Sequence, residues 1–284
     1  MRLRAIFRWA TLCLLCATAA LAQPPTDEKI VHALEKDACT VAEGTSVRVC
    51  RYDYAVDGQA VEALSFRPGG EGRFPGVLLI PGYTRTARHL ISLGVRLAGT
   101  GIAGVAVTQP GFGTSAGPPD FVGPKTIKVW TAGYRKFQRE PFVDTARMGI
   151  YGYSRGAMAA SLLAVKLDDV KAAVFGAGVY DFKKEYDEVK MEGIRHNMKA
   201  ETGMTGEAVR ERSSILDMEK LRCPVLILHG EADANVPVSQ ALALRDHLTA
   251  LHKDFEIKLF PGREHGIGPE VSTLTLDFFR RKLK

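Results

Sequence analysis

The strongest constraint on the fold is a repeated alternation of short apolar runs with helical segments, from residue 75 to the C-terminus. The runs are GVLLI, IAGVAV, MGIYGY, AAVF, VLIL and FEIKLF. They are nearly continuous, as strands must be when both faces of their sheet are buried. Strands that alternate with helices are joined by right-handed crossovers and lie parallel. The pattern therefore predicts an α/β fold built on a doubly wound, mostly parallel sheet.

Two further features modify this plan. Residues 47–56 and 60–66 alternate loosely around Asp57-Gly58, a typical hairpin turn, so we expect an antiparallel edge at the N-terminal side of the sheet. After AAVF the rhythm breaks at residues 181–218, a highly charged segment that predicts a small helical insertion. Ligands bind at the carboxyl edge of such sheets, so the insertion is expected to form part of a pocket wall; a solvated surface excursion is the alternative.

The N-terminus has the pattern of a secretory signal peptide. Three arginines precede an apolar run that ends in Ala20-Leu21-Ala22. We predict that residues 1–22 are a cleaved signal and that residues 23–284 form a single domain located in the periplasm or outside the cell. Cleavage would remove the three arginines and no acidic residue, which lowers the formal net charge from +6 to +3. The remaining basic residues are scattered, so no nucleic-acid partner is expected, and no membrane association after cleavage.

The mature chain would retain three cysteines. Cys39 and Cys50 flank Gly44-Thr45, and a hairpin turn centred there places the two cysteines directly opposite each other. An oxidising compartment would favour a disulfide between them, although two unpaired thiols remain the alternative. Cys223 would then be single, and its apolar strand context indicates an inert buried residue.

A candidate nucleophile lies in GIYGYSRGAMAA. Ser154 follows a predicted strand and precedes a predicted helix, and Gly152 and Gly156 complete the pattern G-x-S-x-G. A serine at the top of such a sharp turn takes a strained backbone conformation. Side chains two residues away on either side would collide with each other or with the sheet. The pentapeptide alone is weak evidence for a catalytic serine, because short patterns of this kind recur by chance.

Two later loops supply the partners that a serine nucleophile needs, namely a histidine base and a carboxylate that orients it. The strand VLIL leads into Asp233, and the next strand, FEIKLF, leads into His265. Both residues therefore reach the same edge of the sheet as Ser154, in the order serine, acid, histidine. Asp181 and Glu231 are alternative acids.

The oxyanion formed by attack on a carbonyl needs backbone donors. We expect one from the N–H of Arg155 and the other from the N–H of Tyr83, which follows the first buried strand. The side chain of Arg155 could contact an anionic group or form a structural ion pair, and Tyr83 could instead be a pocket wall. GFGTSA resembles a dinucleotide fingerprint, but prolines crowd it and no helix opens at its third position. No metal-ligand spacing occurs either, so we expect neither a metal nor another cofactor.

Taken together, four segments resemble the α/β-hydrolase superfamily, and within it the branch of dienelactone hydrolases and the catalytic domain of prolyl oligopeptidase-family enzymes. They are FPGVLLIPG, VDTARMGIYGYSRGAMAA, CPVLILHGEADANVPVSQA and FPGREHG. The resemblance implies that Ser154 is the nucleophile, Asp233 the orienting acid and His265 the general base. The nucleophile is serine, whereas dienelactone hydrolases typically use cysteine.

The sequence therefore predicts a secreted or periplasmic serine hydrolase that cleaves small carboxylic esters through an acyl-enzyme. A serine peptidase or amidase acting on short peptides with the same machinery is the first alternative. A non-catalytic binding protein on the hydrolase scaffold is the second. The oligomeric state has no signature in the sequence.

Overall fold

A computed structural model describes residues 26–283, and the predicted signal peptide lies outside this range. Within it the strands are β1 (Cys39–Val41), β2 (Arg48–Arg51), β3 (Tyr54–Val56), β4 (Gln59–Val61), β5 (Ala63–Arg67), β6 (Phe74–Ile80), β7 (Ala103–Val107), β8 (Val143–Tyr153), β9 (Val170–Gly176), β10 (Val225–Gly230) and β11 (Phe255–Phe260).

The helices lie between and after these strands. They are α1 (Thr26–Lys36), α2 (Ile91–Gly99), α3 (Pro124–Gln138), α4 (Arg155–Lys166), α5 (Phe182–Glu188), α6 (Glu192–Thr202), α7 (Gly206–Glu211), α8 (Ser239–Ala250) and α9 (Glu270–Lys282). Short 3₁₀ turns cover Ala87–Leu90 and Ser214–Lys220. None of the helices in the described range is both long enough and apolar enough to cross a bilayer.

Nine strands form one sheet in the order β1-β2-β5-β7-β6-β8-β9-β10-β11. From β7 to β11 across this order all neighbours are parallel. β1, β2 and β5 pair antiparallel at the other edge, and β5 joins β7 antiparallel. The predicted fold, a mostly parallel α/β sheet with an antiparallel N-terminal edge, is confirmed. Because β6, β8, β10 and β11 are parallel, their carboxyl ends meet at one edge of the sheet.

The two predicted N-terminal strands are each split in two. Asp57 and Gly58 have φ values of +50° and +76° and form the expected two-residue turn, but this turn joins β3 and β4 in a separate ribbon. The hydroxyl of Tyr54 donates to the carbonyl of Val129, which attaches the ribbon to α3. The carboxylate of Asp53 accepts a hydrogen bond from the N–H of Ala63 at the break between the paired strands.

Apolar side chains cover both faces of the sheet, as a doubly wound fold requires. One face packs against α3, α4 and α8, and its fully buried residues include Trp130, Tyr134 and Leu244. The other face packs against α1, α2 and α9, and includes Phe278 and Phe279. The strands between these two layers are therefore rigid supports for the loops at their ends.

The β1–β2 pair carries a disulfide bond. Cys39 lies opposite Cys50 in the antiparallel register, and their sulfur atoms are bonded. Gly44 has a φ of +71° in the turn between them, a conformation that glycine adopts without steric cost. Cys223 is a buried free thiol, and burial raises its pKa to about 12. Such a thiol is unreactive at neutral pH.

We predict that the double variant Cys39→Ser/Cys50→Ser loses about 2–3 kcal/mol of unfolding free energy, because the bond closes a loop between residues 11 positions apart. Urea denaturation followed by circular dichroism measures this loss. In the presence of a reductant the wild-type protein and the variant should unfold at the same urea concentration. A difference that persists after reduction would show that the serine substitutions, and not the lost bond, destabilise the fold.

Candidate active site

Ser154 lies at the sharp turn between β8 and α4. Its backbone has φ +57° and ψ −125°, a combination that residues other than glycine rarely adopt. The turn is anchored on both sides: the N–H of Ser154 donates to the carbonyl of Gly176, and its carbonyl accepts from the N–H groups of Ala157 and Met158. Such strain costs on the order of 1–3 kcal/mol and persists only where the surroundings enforce it. The serine side chain is thereby held at the carboxyl edge of the sheet.

The two glycines of the pentapeptide are required by close backbone packing. A Cβ atom on Gly152 would lie 2.0 Å from the carbonyl oxygen of Gly156. A Cβ atom on Gly156 would lie 2.3 Å from the carbonyl oxygen of Ile80, at the end of β6. Since both neighbours are backbone atoms, neither can move aside cheaply. The helix and two strands thus meet at a distance that only glycine permits.

The structure brings Ser154, His265 and Asp233 together in one hydrogen-bonded chain. Nδ1 of His265 lies 2.7 Å from Oδ2 of Asp233, and Nε2 lies 2.8 Å from Oγ of Ser154. Because an ionised carboxylate only accepts hydrogen bonds, His265 donates from Nδ1 to Asp233. The same ring then presents the lone pair of Nε2 to the serine hydroxyl. This is the arrangement that activates a serine as a nucleophile.

The carboxylate of Asp233 is fixed by more than the histidine. Its other oxygen, Oδ1, accepts hydrogen bonds of 2.9 Å from the N–H groups of Asn235 and Val236, and the side chain is fully buried. A buried carboxylate needs such donors, because an unpaired buried charge is expensive. Both carboxylate oxygens therefore have hydrogen-bond partners, and this fixes the orientation of the His265 ring.

The two alternative acids, and two histidines near the site other than His265, occupy other places. Asp181 caps α5 by accepting the N–H of Lys184, and Glu231 is exposed. His229 is fully buried, and its Nε2–H donates to the carbonyl of Val236 at 2.9 Å. Burial lowers the pKa of His229, which favours the neutral imidazole. His89 is at the cavity wall, where its Nδ1 accepts the N–H of Thr86.

Tyr153 is a functional residue that the sequence did not reveal. Its hydroxyl donates to the backbone carbonyl of His265 and accepts from the N–H of Ile267 at 3.3 Å. The two rings also meet edge to face, with centroids 5.8 Å apart. Tyr153 therefore holds the histidine loop against the nucleophile turn. The contact spans 112 positions, and no local pattern indicates it.

The two expected oxyanion donors lie on adjoining segments. Gly82 packs so closely on the nucleophile turn that a Cβ atom there would lie 3.2 Å from the carbonyl of Tyr153 and 3.4 Å from Cβ of Ser154. Tyr83 follows directly, and Arg155 is the first residue of α4, where backbone N–H groups have no partner within the helix. Within residues 26–283 neither N–H donates to a protein acceptor.

The guanidinium of Arg155 forms a buried ion pair, one of the two alternatives considered above. It lies 3.4 Å from the carboxylate of Glu201 on α6, and it packs between the rings of Tyr83 and Phe121 at 4.1 and 3.8 Å from their centroids. Burial lowers the pKa of Arg155, and the negative charge of Glu201 opposes that effect. Tyr83 also accepts a hydrogen bond from the amide of Asn197. The insertion is thereby attached to the loop after β6 that carries Tyr83.

The insertion also fixes a strained segment that packs against Arg155. Phe121 and Val122 have φ values of +45° and +60°, which are unfavourable for bulky side chains. Glu201 accepts the N–H of Phe121 at 2.8 Å, and the buried guanidinium of Arg212 donates to the carbonyl of Phe121 at 2.9 Å. Phe121 is thus held over Arg155 by residues of the insertion.

A cavity of about 730 Å³ opens at Ser154, a size typical of sites for small ligands. Its wall includes residues of the insertion, as expected: Glu185, Ile194 and Asn197. The remaining wall is mostly aromatic and aliphatic and comes from the loops at the sheet edge, the end of β8 and the start of α4. It includes Tyr83, Leu90, Phe121, Tyr151, Tyr153, Met158, Val179, Val236 and His265.

A family model and several known proteins match this chain. A model of the prolyl oligopeptidase family matches residues 123–284. The chain is 29% identical over 231 residues to the uncharacterized peptidase YtmA of Bacillus subtilis, covering 79% of this chain and 88% of that protein. It is 32% identical over 148 residues to a probable dipeptidyl-aminopeptidase B of Aspergillus clavatus, but that match covers only 15% of the fungal protein.

Solved structures share the fold at low sequence identity. The acylaminoacyl peptidase of Pyrococcus horikoshii superposes with a TM-score of 0.73 at 20% identity, covering 84% of this chain and 42% of that one. Acetyl xylan esterase 1 from a Thermoanaerobacterium species superposes with a TM-score of 0.70 at 17% identity, covering 91% and 94%. The chain thus spans less than half of the first protein and nearly all of the second.

We predict that Glu201→Gln lowers the unfolding free energy by about 1–3 kcal/mol, because it leaves the buried charge of Arg155 without its counterion. Urea denaturation measures this cost. Glu192→Gln, on the same helix but exposed, is the matched control and should change it by less than about 0.5 kcal/mol. Equal stabilities for the two variants would show that the ion pair does not hold the insertion in place.

Proposed function

The chain belongs to the prolyl oligopeptidase family, and from this premise we propose that it is a serine peptidase that cleaves short peptides through Ser154. The observation that carries the proposal is the continuous hydrogen-bonded chain from Asp233 through His265 to Ser154. That chemistry acts on a carbonyl group with a leaving group that departs after protonation. The chain is a serine hydrolase in the broad sense, and the finer assignment rests on its relatives.

In the acylation step, Nε2 of His265 takes the hydroxyl proton of Ser154 while Oγ bonds to the carbonyl carbon. The carbonyl oxygen becomes an oxyanion, for which the N–H groups of Tyr83 and Arg155 are the donors. Each such donor is typically worth about 10²–10³ in rate. The imidazolium, stabilised by Asp233, then gives its proton to the leaving nitrogen. The bond between that nitrogen and the carbonyl carbon breaks, and an acyl ester of Ser154 remains.

Deacylation repeats the sequence with water. His265 takes a proton from a water molecule, whose oxygen attacks the acyl carbon and forms a second oxyanion. The proton then returns to Oγ of Ser154 as the ester bond breaks, which releases the carboxylic acid and restores the enzyme. Asp233 keeps the same charge throughout, since its role is to orient the ring and stabilise the imidazolium.

We propose peptide rather than ester substrates because the matching family and relatives are named as peptidases. The family model is that of peptidases, and YtmA, of which the chain covers 88%, is named a peptidase. This favours the alternative that the sequence placed second. Ester cleavage remains the second candidate, supported by the near full-length likeness to acetyl xylan esterase 1. The same triad serves both reactions, because they differ only in the leaving atom.

Paired substrates separate the two candidates. Each acyl group is offered both as a p-nitroanilide, which has an amide bond, and as a p-nitrophenyl ester. A peptidase is expected to turn over both, since the ester is the easier bond. Turnover of the esters with no measurable turnover of any anilide would overturn the peptidase proposal and leave the esterase.

We predict that Ser154→Ala lowers kcat/KM by about 10⁴-fold or more without unfolding the protein, since it removes only the nucleophilic oxygen. Substrate hydrolysis and circular dichroism measure the two quantities. A fluorophosphonate should label the wild-type protein at Ser154 and leave the variant unlabelled. Retained hydrolysis in the variant would refute the role of Ser154, and a wild-type protein that neither hydrolyses nor labels would support a binding protein instead.

We also propose that the protein is exported to the periplasm or the medium. The N-terminal charge and apolar pattern supports this, and so does the Cys39–Cys50 bond, because disulfides persist in oxidising compartments. The expected product begins at Gln23. N-terminal sequencing and intact mass of the protein from each cell fraction test the proposal, and full-length protein that remains in the cytosol would contradict it.

A further inference from the structure

Glu185 is a buried carboxyl group for which the fold supplies no partner. It lies on α5 of the insertion with 1% of its surface exposed, and it forms part of the wall of the cavity at Ser154. Within residues 26–283 neither of its carboxyl oxygens makes a hydrogen bond. Buried polar groups in folded proteins are paired in the great majority of cases, and leaving one unpaired is costly. The triad does not use it.

Among the described residues the other buried acids are paired, which makes Glu185 an exception. Glu62 accepts hydrogen bonds from Nε of Arg88 and from the N–H of Thr114, and Asp233 is held by His265 and two backbone N–H groups. Each of these acids stabilises a loop. Glu185 does nothing comparable, so the partner that would compensate its burial is absent from the described part of the chain and must come from outside it.

The cavity has a charge distribution that favours a cation at this point. Among the described residues that line it, Glu185 is the one carboxyl group; the guanidinium of Arg155 is already paired with Glu201, and Arg85 is exposed. Burial raises the pKa of Glu185 to about 8, and the negative charges of Asp233 and Glu188 add to this effect. A cationic group of a ligand would supply the missing hydrogen bonds and would favour the ionised form of the carboxyl group.

We propose that Glu185 is a specificity-determining residue that binds the ammonium or guanidinium group on the side chain of the acyl residue of the substrate. The inference rests on the proposed function, because it assigns a substrate class to the same site. Ser154 and Glu185 line the same cavity, so a substrate group that fills it adjoins the attacked carbonyl. Met158, Val179 and Val236 line the same cavity and offer apolar surface to the alkyl stem of a lysine or arginine.

Matched substrates with and without the cationic group test this directly. The pairs are lysine against norleucine and arginine against citrulline, each as the N-acetyl p-nitroanilide and p-nitrophenyl ester. We expect kcat/KM to favour the cationic member of each pair by about 10- to 100-fold, the range for a hydrogen bond to a charged group. Glu185→Gln keeps the size of the side chain and removes its negative charge, so the ratio in each pair should fall to about one.

Asp187→Asn is the matched control, since Asp187 is on the same helix but is exposed and outside the cavity wall. It should keep the wild-type ratio. Equal or better hydrolysis of norleucine and citrulline substrates by the wild-type protein would overturn the inference, and so would a ratio that survives Glu185→Gln. If Glu185→Gln does not fold, competition in the wild-type protein decides. Butylammonium should inhibit hydrolysis competitively and 1-butanol should not, whereas equal inhibition overturns the inference.

These results separate the inference from the function on which it rests. In one outcome the wild-type protein hydrolyses the substrates, Ser154→Ala does not, and neither pair shows a preference for its cationic member. This outcome refutes the role of Glu185 and supports the hydrolase assignment. An absence of hydrolysis and of fluorophosphonate labelling in the wild-type protein sinks both.

Discussion

The close approach of three backbone segments at the nucleophile turn is the constraint on which the rest of the site depends. The space above Gly152 is filled by the start of α4, and the space above Gly156 is filled by the end of β6. Ser154 can hold its strained conformation only because strands and helix are rigidly packed around it. In this conformation the hydroxyl of Ser154 reaches the loops after β10 and β11, which carry Asp233 and His265. If the packing of α4, β6 or β8 were loosened, the three catalytic side chains would no longer lie within hydrogen-bond distance.

The insertion adds a second layer of organisation to this framework. It is polar and lies at the surface, yet three of its side chains contact residues around the site. Glu201 pairs with Arg155, and Asn197 donates to the hydroxyl of Tyr83. Arg212 donates to the carbonyl of Phe121. These contacts hold both sides of the cavity that faces Ser154. Tyr83 and Phe121, which both line the cavity, are therefore physically connected, because α6 contacts the first through Asn197 and the second through Glu201.

Chemistry and selectivity are divided between different residues. The triad needs only three side chains with definite distances, and it serves amide and ester substrates alike. The cavity wall decides which substrates reach it, through its apolar surface and through the unpaired carboxyl of Glu185. A mostly apolar pocket with one unpaired buried carboxyl group discriminates strongly, since a substrate without a matching donor leaves that group without a hydrogen-bond partner.

The sequence by itself determined the sheet, the nucleophile turn and the order of the triad. These follow from local rules: apolar runs mark buried strands, parallel strands align their carboxyl ends, and glycines mark a turn that admits no side chain. Only the tertiary structure decided that Tyr153 holds the loop of His265, that Arg155 pairs with Glu201, and that Glu185 is buried without a partner. Partners in such contacts are 46 to 112 positions apart, and burial of a charged side chain is set by what packs over it. No local pattern records that packing, and the sequence therefore identified the catalytic groups but not the residues that position them or choose their substrate.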